Sequence, residues 1–232
     1  MTKRKSYKNK KTKKKINKSR KRTKSRKNNI QIAKKNMISL EPEVFTIDNF
    51  LNNKECEHII KLAKPHLKRS VVSGDKKGFI SDLRTNSNCW IAHDTDKITH
   101  DVAQKISKLV NIPLKNAEAF HVIHYDLKQE YKNHYDAYLF DNSPKSIRCL
   151  KNGGQRLKTV LCYLNDVVKG GSTKFTILKK EVKPAKGKLL MFSNVYNNSN
   201  IRHPSSEHCG SPVEKGVKYA FNLWFRENEV AK

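Results

Sequence analysis

The charge of this 232-residue chain is concentrated at one end, which limits how much of it can fold. There are 49 Lys and Arg residues against 21 Asp and Glu residues, a formal net charge of +28. Residues 1–35 contain 18 of the basic residues and no acid, so the remainder carries a net charge of +10. A segment with almost nothing to bury cannot offset the entropy lost on ordering. We therefore predict a disordered polybasic tail at residues 1–36 and one folded domain at residues 37–232.

The tail predicts contact with polyanions but does not identify one of them. Basic clusters such as residues 18–22 attract nucleic acid, acidic proteins and anionic membrane surfaces, and they resemble nuclear-import signals. Contact with nucleic acid is one of the polyanion contacts that the tail allows. The alternative is that the tail only keeps the protein soluble.

Cysteine usage and hydropathy limit the expected location. Five scattered cysteines without a CxxC pair indicate reduced thiols. The chain has no apolar run near the roughly 20 residues of a membrane span, and its N-terminus lacks the apolar stretch of a signal peptide. We expect a cytoplasmic or nuclear protein that is not secreted and has no membrane span. Frequent Lys, Asn and Ile fit an AT-rich genome, such as that of a large virus or a protist; for a virus, the virion is a further expected location.

Hydrophobic spacing predicts two helices followed mainly by strands. A strand at Val44–Ile47 precedes a helix capped by Asn52 or Asn53, and a second helix ends before Pro113. Short segments rich in β-branched and aromatic residues then predict strands near 118–126, 157–164, 173–183, 187–192 and 217–226. This order indicates an α+β domain whose sheets form a sandwich or barrel.

The chemistry is indicated first by His134 and Asp136, which share one side of a strand or extended turn. Two imidazoles and one carboxylate hold Fe(II) on one face of an octahedron and leave three positions for a co-substrate and oxygen. His208 is the favoured third ligand. Spacing alone leaves two alternatives open, because His124 and Asp126 repeat the same pattern and His203 competes with His208.

Lys218 is the candidate for binding an anion. It lies ten residues after His208 and begins a strand with two alternating faces, Lys218, Ala220, Asn222 and Trp224 against Tyr219, Phe221, Leu223 and Phe225. The aromatic face suits a core, so the face with Lys218 points to a cavity. A lysine directed into a cavity needs an anion, and a dicarboxylate co-substrate would supply one.

Residues 42–227 resemble the prolyl 4-hydroxylase family of Fe(II)- and 2-oxoglutarate-dependent dioxygenases. Five blocks match in order along the chain. They are Val44–Ala63; Arg84–Trp90; Tyr125, Gln129, Tyr131, His134 and Asp136; Gly154–Arg156, Thr159, Tyr163–Asp166, Gly170 and Gly171; and His208, Gly210, Pro212, Val213, Gly216 and Lys218.

The resemblance implies a double-stranded β-helix core, of jelly-roll or cupin type, with N-terminal supporting helices. It implies that His134, Asp136 and His208 bind Fe(II), that Lys218 binds 2-oxoglutarate, and that His124, Asp126 and His203 are structural or surface residues. It also implies that Tyr125 and Tyr163 complete the co-substrate pocket. Tyr131, Arg156 and Trp224 fall where the family contacts its peptide substrate. The expected activity, like that of procollagen-proline 4-dioxygenases, hydroxylates prolyl residues of a peptide or protein with O2, gives succinate and CO2, and uses L-ascorbate.

Some residues depart from the family pattern, and other functions remain open. Lys128 replaces a usual Gly, Ser172 replaces an acidic residue, and Cys209 and Ser211 flank Gly210. We expect Lys128 and Ser172 on loops beside the cavity mouth. One alternative keeps the iron chemistry but acts on a lysyl residue, a free amino acid or a nucleobase. The other is a non-catalytic, polyanion-binding protein that retains the fold.

Overall fold

The computed structural model describes residues 1–2 and 34–231, and residues Ala33–Lys232 form one unit. Most of the predicted polybasic tail, residues 3–33, lies outside the described residues. Among the described residues, no helix is both long enough and apolar enough to cross a membrane.

The described residues contain two α-helices in the first half of the domain, a third, shorter α-helix in the second half, and strands throughout. The α-helices are α1 (Asn53–Ala63), α2 (Lys97–Val110) and α3 (Pro144–Leu150). The strands are β1 (Asn36–Leu40), β2 (Glu43–Ile47), β3 (Lys68–Arg69), β4 (Val72–Ser73), β5 (Gly78–Phe79), β6 (Ser87–Ile91), β7 (Phe120–Tyr125), β8 (Tyr131–His134), β9 (Arg156–Tyr163), β10 (Lys169–Gly170), β11 (Thr173–Phe175), β12 (Lys180–Val182), β13 (Leu189–Ser193), β14 (His208–Gly210), β15 (Val213–Lys215) and β16 (Lys218–Arg226).

The two predicted helices are confirmed, and both begin with reciprocal side-chain caps. Asn52 accepts a hydrogen bond from the amide of Glu55, whose carboxylate accepts one from the amide of Asn52. Asp96 and Thr99 cap α2 in the same way. Helix α2 ends at Asn111, whose left-handed backbone (φ 55°) closes the helix before Pro113.

Helices α1 and α2 pack on one face of an eight-stranded sheet, ordered β1-β2-β13-β9-β16-β7-β6-β3. The aromatic face predicted for β16 lies in this core, because Tyr219, Phe221, Leu223 and Phe225 all belong to it. The other side of the sheet contributes Ile123, Leu161 and Ala220 to a second core. The alternation predicted for β16 is therefore confirmed.

A four-stranded sheet, ordered β12-β11-β14-β8, supplies the other wall of the second core through Phe175 and Val182. The domain thus has three layers: the helices, the eight-stranded sheet and the four-stranded sheet. Each layer covers the apolar face of the layer beside it. The functional side chains lie between the two sheets.

Two details differ from the prediction. Residues 173–183 form a hairpin, β11 and β12, because a turn at 176–179 contains Lys179 in the left-handed region (φ 53°). Helix α3 was not predicted. It is only seven residues long, too short for a clear apolar period, and begins with Ser143 as cap and Pro144 in the first turn.

Candidate metal centre and adjoining cavity

Strand pairing brings together the three residues predicted to bind metal. His208 on β14 lies directly opposite His134 at the end of β8, and Asp136 follows in the next turn. One possible ligand atom from each residue lies within 4.8 Å of the other two. The carboxylate of Asp136 is 3.9 Å from His134 Nε2 and 3.7 Å from His208 Nε2.

Both imidazoles are held in the tautomer that metal binding requires. His134 Nδ1 donates to the carbonyl of Lys132 at 2.8 Å, and His208 Nδ1 donates to the carbonyl of Ser206 at 2.9 Å. Because Nδ1 carries the proton, Nε2 keeps its lone pair for a metal. Burial, reinforced by His208, lowers the pKa of His134 to about 3, so its ring is neutral. This donor set fits Fe(II).

The carboxylate of Asp136 is oriented by two buried polar residues. Thr159 Oγ1 donates to Asp136 Oδ2 at 2.7 Å and accepts from Asn194 Nδ2 at 2.9 Å. Burial alone would raise the pKa of Asp136, but His208 and His134 lower it below its usual value. Asp136 is therefore ionised and ready to bind a cation. Sequence reasoning placed Thr159 in one of the matched blocks without assigning it a role, and it did not identify Asn194.

The competing histidines lie outside this cluster. His124 Nε2 is 3.7 Å from Asp126 Oδ1, while the ring of His124 packs on Tyr219. His203 caps a short 3-10 helix by accepting from the amide of Ser205. Neither histidine contributes to the His134–Asp136–His208 cluster.

Lys218 is buried between two tyrosine rings. Its side chain is 1 % exposed, and Nζ lies 5.0 Å from the ring centre of Tyr125 and 5.4 Å from that of Tyr163. It forms no ion pair or hydrogen bond with any described residue. Burial lowers the pKa of Lys218 from 10.5 to about 7. A buried ammonium without a partner is costly, so this position favours a bound anion.

The two flanking tyrosines differ in what their hydroxyls can do. Tyr163 shares a 2.7 Å hydrogen bond with Thr173 Oγ1, so its hydroxyl is already engaged within the protein. The hydroxyl of Tyr125 bonds to no described residue, although the ring is 3 % exposed. Only Tyr125 has a hydroxyl free to bind a ligand.

A cavity of about 470 Å³ opens beside the His–Asp–His cluster. It is lined by most of the residues predicted to bind metal or substrate, namely Tyr125, Tyr131, His134, Asp136, Arg156 and Trp224. Lys218, Tyr163 and His208 do not line it. Lys218 pairs with Tyr125 in the register of β16 and β7, and Tyr125 does line the cavity.

A buried ion-pair network fixes the Arg156 side of the cavity. Glu118 accepts from Arg156 Nε and Nη2 at 2.7 and 2.8 Å, and also from Arg226 Nε at 2.6 Å. Burial raises the pKa of Glu118, but the two guanidinium groups lower it below its ordinary value. Arg156 also lies 3.6 Å from the ring centre of Trp224. Arg156 therefore faces the cavity as an oriented cation with two of its donors already used.

A further part of the cavity lining, with the residues packed behind it, is a stack of aromatic and basic groups. Tyr131 stacks on His134 with ring centres 3.5 Å apart, and Arg84 lies 4.8 Å from the ring centre of Tyr131. Arg84 Nη2 donates to His121 Nε2 at 3.3 Å. Burial, with Arg84 and Arg156 nearby, lowers the pKa of His121 well below its usual value, so His121 is a neutral acceptor.

Two departures from the family pattern have structural explanations. Lys128 has a φ of 64°, a left-handed conformation that favours Gly, so the backbone there keeps the shape that a glycine would take. Ser172 was expected beside the cavity mouth, but it is 3 % exposed and its hydroxyl lies 3.1 Å from that of Ser211. That expectation is wrong: Ser172 packs inside the domain because its small hydroxyl finds a partner there.

Comparisons with known proteins agree with this geometry. Residues 120–226 match the 2OG-Fe(II) oxygenase superfamily. Prolyl 4-hydroxylase 5 of Arabidopsis thaliana is 36 % identical over 214 residues, covering 83 % of this chain and 71 % of the relative. Prolyl 4-hydroxylase 2 of the same plant is 32 % identical over 226 residues, covering 88 % and 73 %.

A solved structure shows the same fold. The viral collagen prolyl hydroxylase of Paramecium bursaria Chlorella virus-1, in its 2OG complex, superposes with a TM-score of 0.63 at 27 % identity, covering 79 % of this chain and 95 % of that one. The layered sheets are therefore the double-stranded β-helix expected from the sequence. This chain belongs to the prolyl 4-hydroxylase family of Fe(II)- and 2-oxoglutarate-dependent dioxygenases.

Proposed function

We propose that this protein hydroxylates prolyl residues of a peptide or protein, using Fe(II), O2 and 2-oxoglutarate. The observation that carries the proposal is a buried His–Asp–His cluster on the small sheet, together with a buried lysine of the large sheet that has no acidic or hydrogen-bonding partner among the described residues. Iron and 2-oxoglutarate, when bound, supply the oxygen activation that places a hydroxyl on the substrate and releases succinate and CO2. The protein supplies binding, orientation and exclusion of water.

His134, Asp136 and His208 are the proposed metal ligands. Their Nε2 and carboxylate atoms converge, and backbone carbonyls fix both imidazole tautomers. The hydrogen bonds from Asn194 to Thr159 and from Thr159 to Asp136 hold the carboxylate in place. Such outer contacts orient metal ligands and raise the affinity for the metal.

Lys218 and Tyr125 are the proposed partners of 2-oxoglutarate. The distal carboxylate would neutralise the buried ammonium of Lys218, and the free hydroxyl of Tyr125 would donate a second hydrogen bond. Tyr163 contributes its ring to the pocket, because its hydroxyl already bonds to Thr173. The pocket would then hold a dianion at low cost.

The cavity wall is the proposed peptide site. Trp224 lines the cavity, and its buried Nε1 interacts as a hydrogen-bond donor with the carboxylate of Asp136, which lowers the pKa of that group. The ring of Trp224, stacked on Arg156, is therefore the part that we assign to peptide contact. Arg156, oriented by Glu118, and the ring of Tyr131 provide the other contacts. These groups suit a peptide whose backbone carbonyls are unpaired.

Three further parts of the proposal rest on the sequence. L-Ascorbate is the proposed reductant that keeps the iron ferrous. The polybasic tail is proposed to contact nucleic acid or another polyanion. The proposed location is cytoplasmic or nuclear, with the virion added if the source is viral.

The test is succinate release from 2-oxoglutarate by the iron-loaded protein in air, with and without a panel of proline-rich peptides. We expect peptide-stimulated succinate and a mass gain of one oxygen on a prolyl residue. Succinate release that no peptide stimulates would show that prolyl peptides are not the substrate. If iron binds but no succinate forms with or without peptide, the non-catalytic alternative is favoured.

A further inference from the structure

A second hollow of about 350 Å³ lies beside the catalytic cavity. The two hollows share four lining residues: Tyr135, Tyr138, Leu139 and Arg202. The outer end of the second hollow is formed by Phe140 and Ile201. The shared walls make it a continuation of the cavity. We call it the outer pocket.

The outer pocket is apolar and uncovered. Phe140 is 55 % exposed, Ile201 60 % and Leu139 44 %. They come from two loops, one that follows the metal-binding turn and one that precedes β14. Apolar side chains clustered in a concave surface indicate a binding site, whereas single exposed apolar residues do not.

Arg202 lies where the cavity meets the outer pocket, and its guanidinium has no acidic or hydrogen-bonding partner among the described residues. Its guanidinium is 4.0 Å from the ring centre of Tyr135. Its side chain forms no ion pair and no hydrogen bond with any described residue. An extended polyproline-type peptide has unpaired backbone carbonyls, which are the acceptors that a free guanidinium can bind.

We infer that the peptide substrate runs from the catalytic cavity across the Tyr135–Arg202 stack, so that the outer pocket takes a second apolar residue, such as proline. The inference rests on the proposed function. Aromatic-lined grooves are how proteins recognise extended proline-rich chains, because the preformed helix loses little entropy on binding. The enzyme would then select substrates by a proline at a fixed distance from the hydroxylated residue.

The test uses peptides with one target proline and a second proline placed at successive positions on either side, with glycine elsewhere. Peptide affinity is measured by fluorescence anisotropy with the full chain, and hydroxylation is measured on the same peptides. We expect one spacing to bind roughly tenfold more tightly than the peptide without a second proline, in line with filling a small apolar pocket. Phe140→Ser and Ile201→Ser should each abolish this gain in affinity. Arg202→Gln should lower the affinity for every peptide that is long enough to reach Arg202.

Ile177→Ser is the matched control, because Ile177 is 50 % exposed but lines neither hollow. It should keep the spacing preference. The inference is overturned if peptides are hydroxylated with no preferred spacing, or if the preference survives Phe140→Ser; the proposed function then stands.

Spacing-dependent binding without any hydroxylation would support the outer pocket and reject the proposed function. Sedimentation velocity of the wild type and Phe140→Ser tests whether a second copy of this chain occupies the outer pocket in place of the peptide. A change in oligomeric state with unchanged peptide affinity would show that the outer pocket is a contact between copies of this chain, which overturns the inference.

Discussion

His134 and His208 face each other across β8 and β14, with ring centres 4.3 Å apart. Each ring is fixed by a backbone carbonyl of its own strand region, so the two Nε2 atoms are presented together. Neither strand could build this site alone. The metal centre therefore depends on the small sheet being formed.

The first prediction concerns the ligand assignment. His134→Ala or His208→Ala should abolish iron-dependent succinate release and lower the bound iron, because each removes a ligand. His124→Ala and His203→Ala are the controls and should retain most of both. Iron content and succinate are measured on the same samples. Loss of iron in the control variants, with retention in the first pair, would show that the wrong histidines had been assigned.

The second prediction concerns the anion site. Lys218→Met should raise the KM for 2-oxoglutarate about 10- to 100-fold, since a charge-assisted hydrogen bond contributes roughly 1.5–3 kcal/mol. It should not destabilise the protein without co-substrate, because it replaces a buried unpaired ammonium by an apolar chain. Lys215→Ala, at an exposed position of β15, is the control. An unchanged KM in Lys218→Met would remove its assigned role.

The third prediction is a pH dependence that follows from the pKa of about 7 for Lys218. The bound dianion favours the ammonium form, so binding above pH 7 takes up a proton. The affinity for 2-oxoglutarate should therefore fall as pH rises from 7 to 9, approaching about tenfold for each pH unit. Calorimetric titrations of the wild type and Lys218→Met are compared. Equal slopes in the two proteins would show that another group titrates.

The same pKa shift has a consequence for stability without co-substrate. Burial lowers the pKa of Lys218 in the folded chain, so between about pH 7 and 10.5 the unfolded chain binds one more proton. This group's contribution to the free energy of unfolding should therefore increase with pH across that window. The free energy of unfolding of the wild type and of Lys218→Met is measured with denaturant at several pH values. We expect Lys218→Met to be the more stable near pH 7 and the difference between the two proteins to shrink as pH rises.

The fourth prediction concerns the support of Asp136. Thr159→Val removes the hydroxyl that donates to Asp136 Oδ2, and we expect iron affinity to fall about 10- to 100-fold. Thr159→Ser keeps the hydroxyl and should restore most of the affinity. Competition with a chelator gives both constants. If Val and Ser behave alike, the effect comes from packing and the hydroxyl does not orient the carboxylate.

The fifth prediction concerns Glu118, which pairs with both Arg156 and Arg226. Glu118→Gln leaves two buried cations without a carboxylate and should lower the free energy of unfolding by about 3–5 kcal/mol. Glu229→Gln, at an exposed pair with Lys115, should cost less than about 1 kcal/mol. Urea unfolding measures both. Equal effects would mean that the buried network adds nothing beyond a surface pair.

Local patterns in the sequence predicted much of the fold. Asn52, one of the two caps predicted for α1, does cap that helix, because a cap depends on residues three positions away. The two faces of β16 follow from an alternation within nine residues. The family blocks, read from the sequence alone, named the cluster of His134, Asp136 and His208. Helix α3 was missed because seven residues give too little periodicity.

Spacing by itself did not choose between the two His–x–Asp patterns. His124 and His134 have the same local signature, and only the pairing of β8 with β14 brings one of them to His208. Two other contacts also join residues that are far apart in the chain. They are the contact between Ser172 and Ser211 and the ion pairs of Glu118 with Arg156 and Arg226.

The sequence by itself determined helices α1 and α2 and the main strands, because capping and alternation act over a few residues, and its ordered motif blocks indicated the family and the candidate ligands. The tertiary structure alone decided the orientation of Asp136 by Thr159 and Asn194, the isolation of Lys218 and the continuity of the outer pocket with the cavity. These depend on which distant surfaces are buried together, and burial decides which polar groups keep a partner.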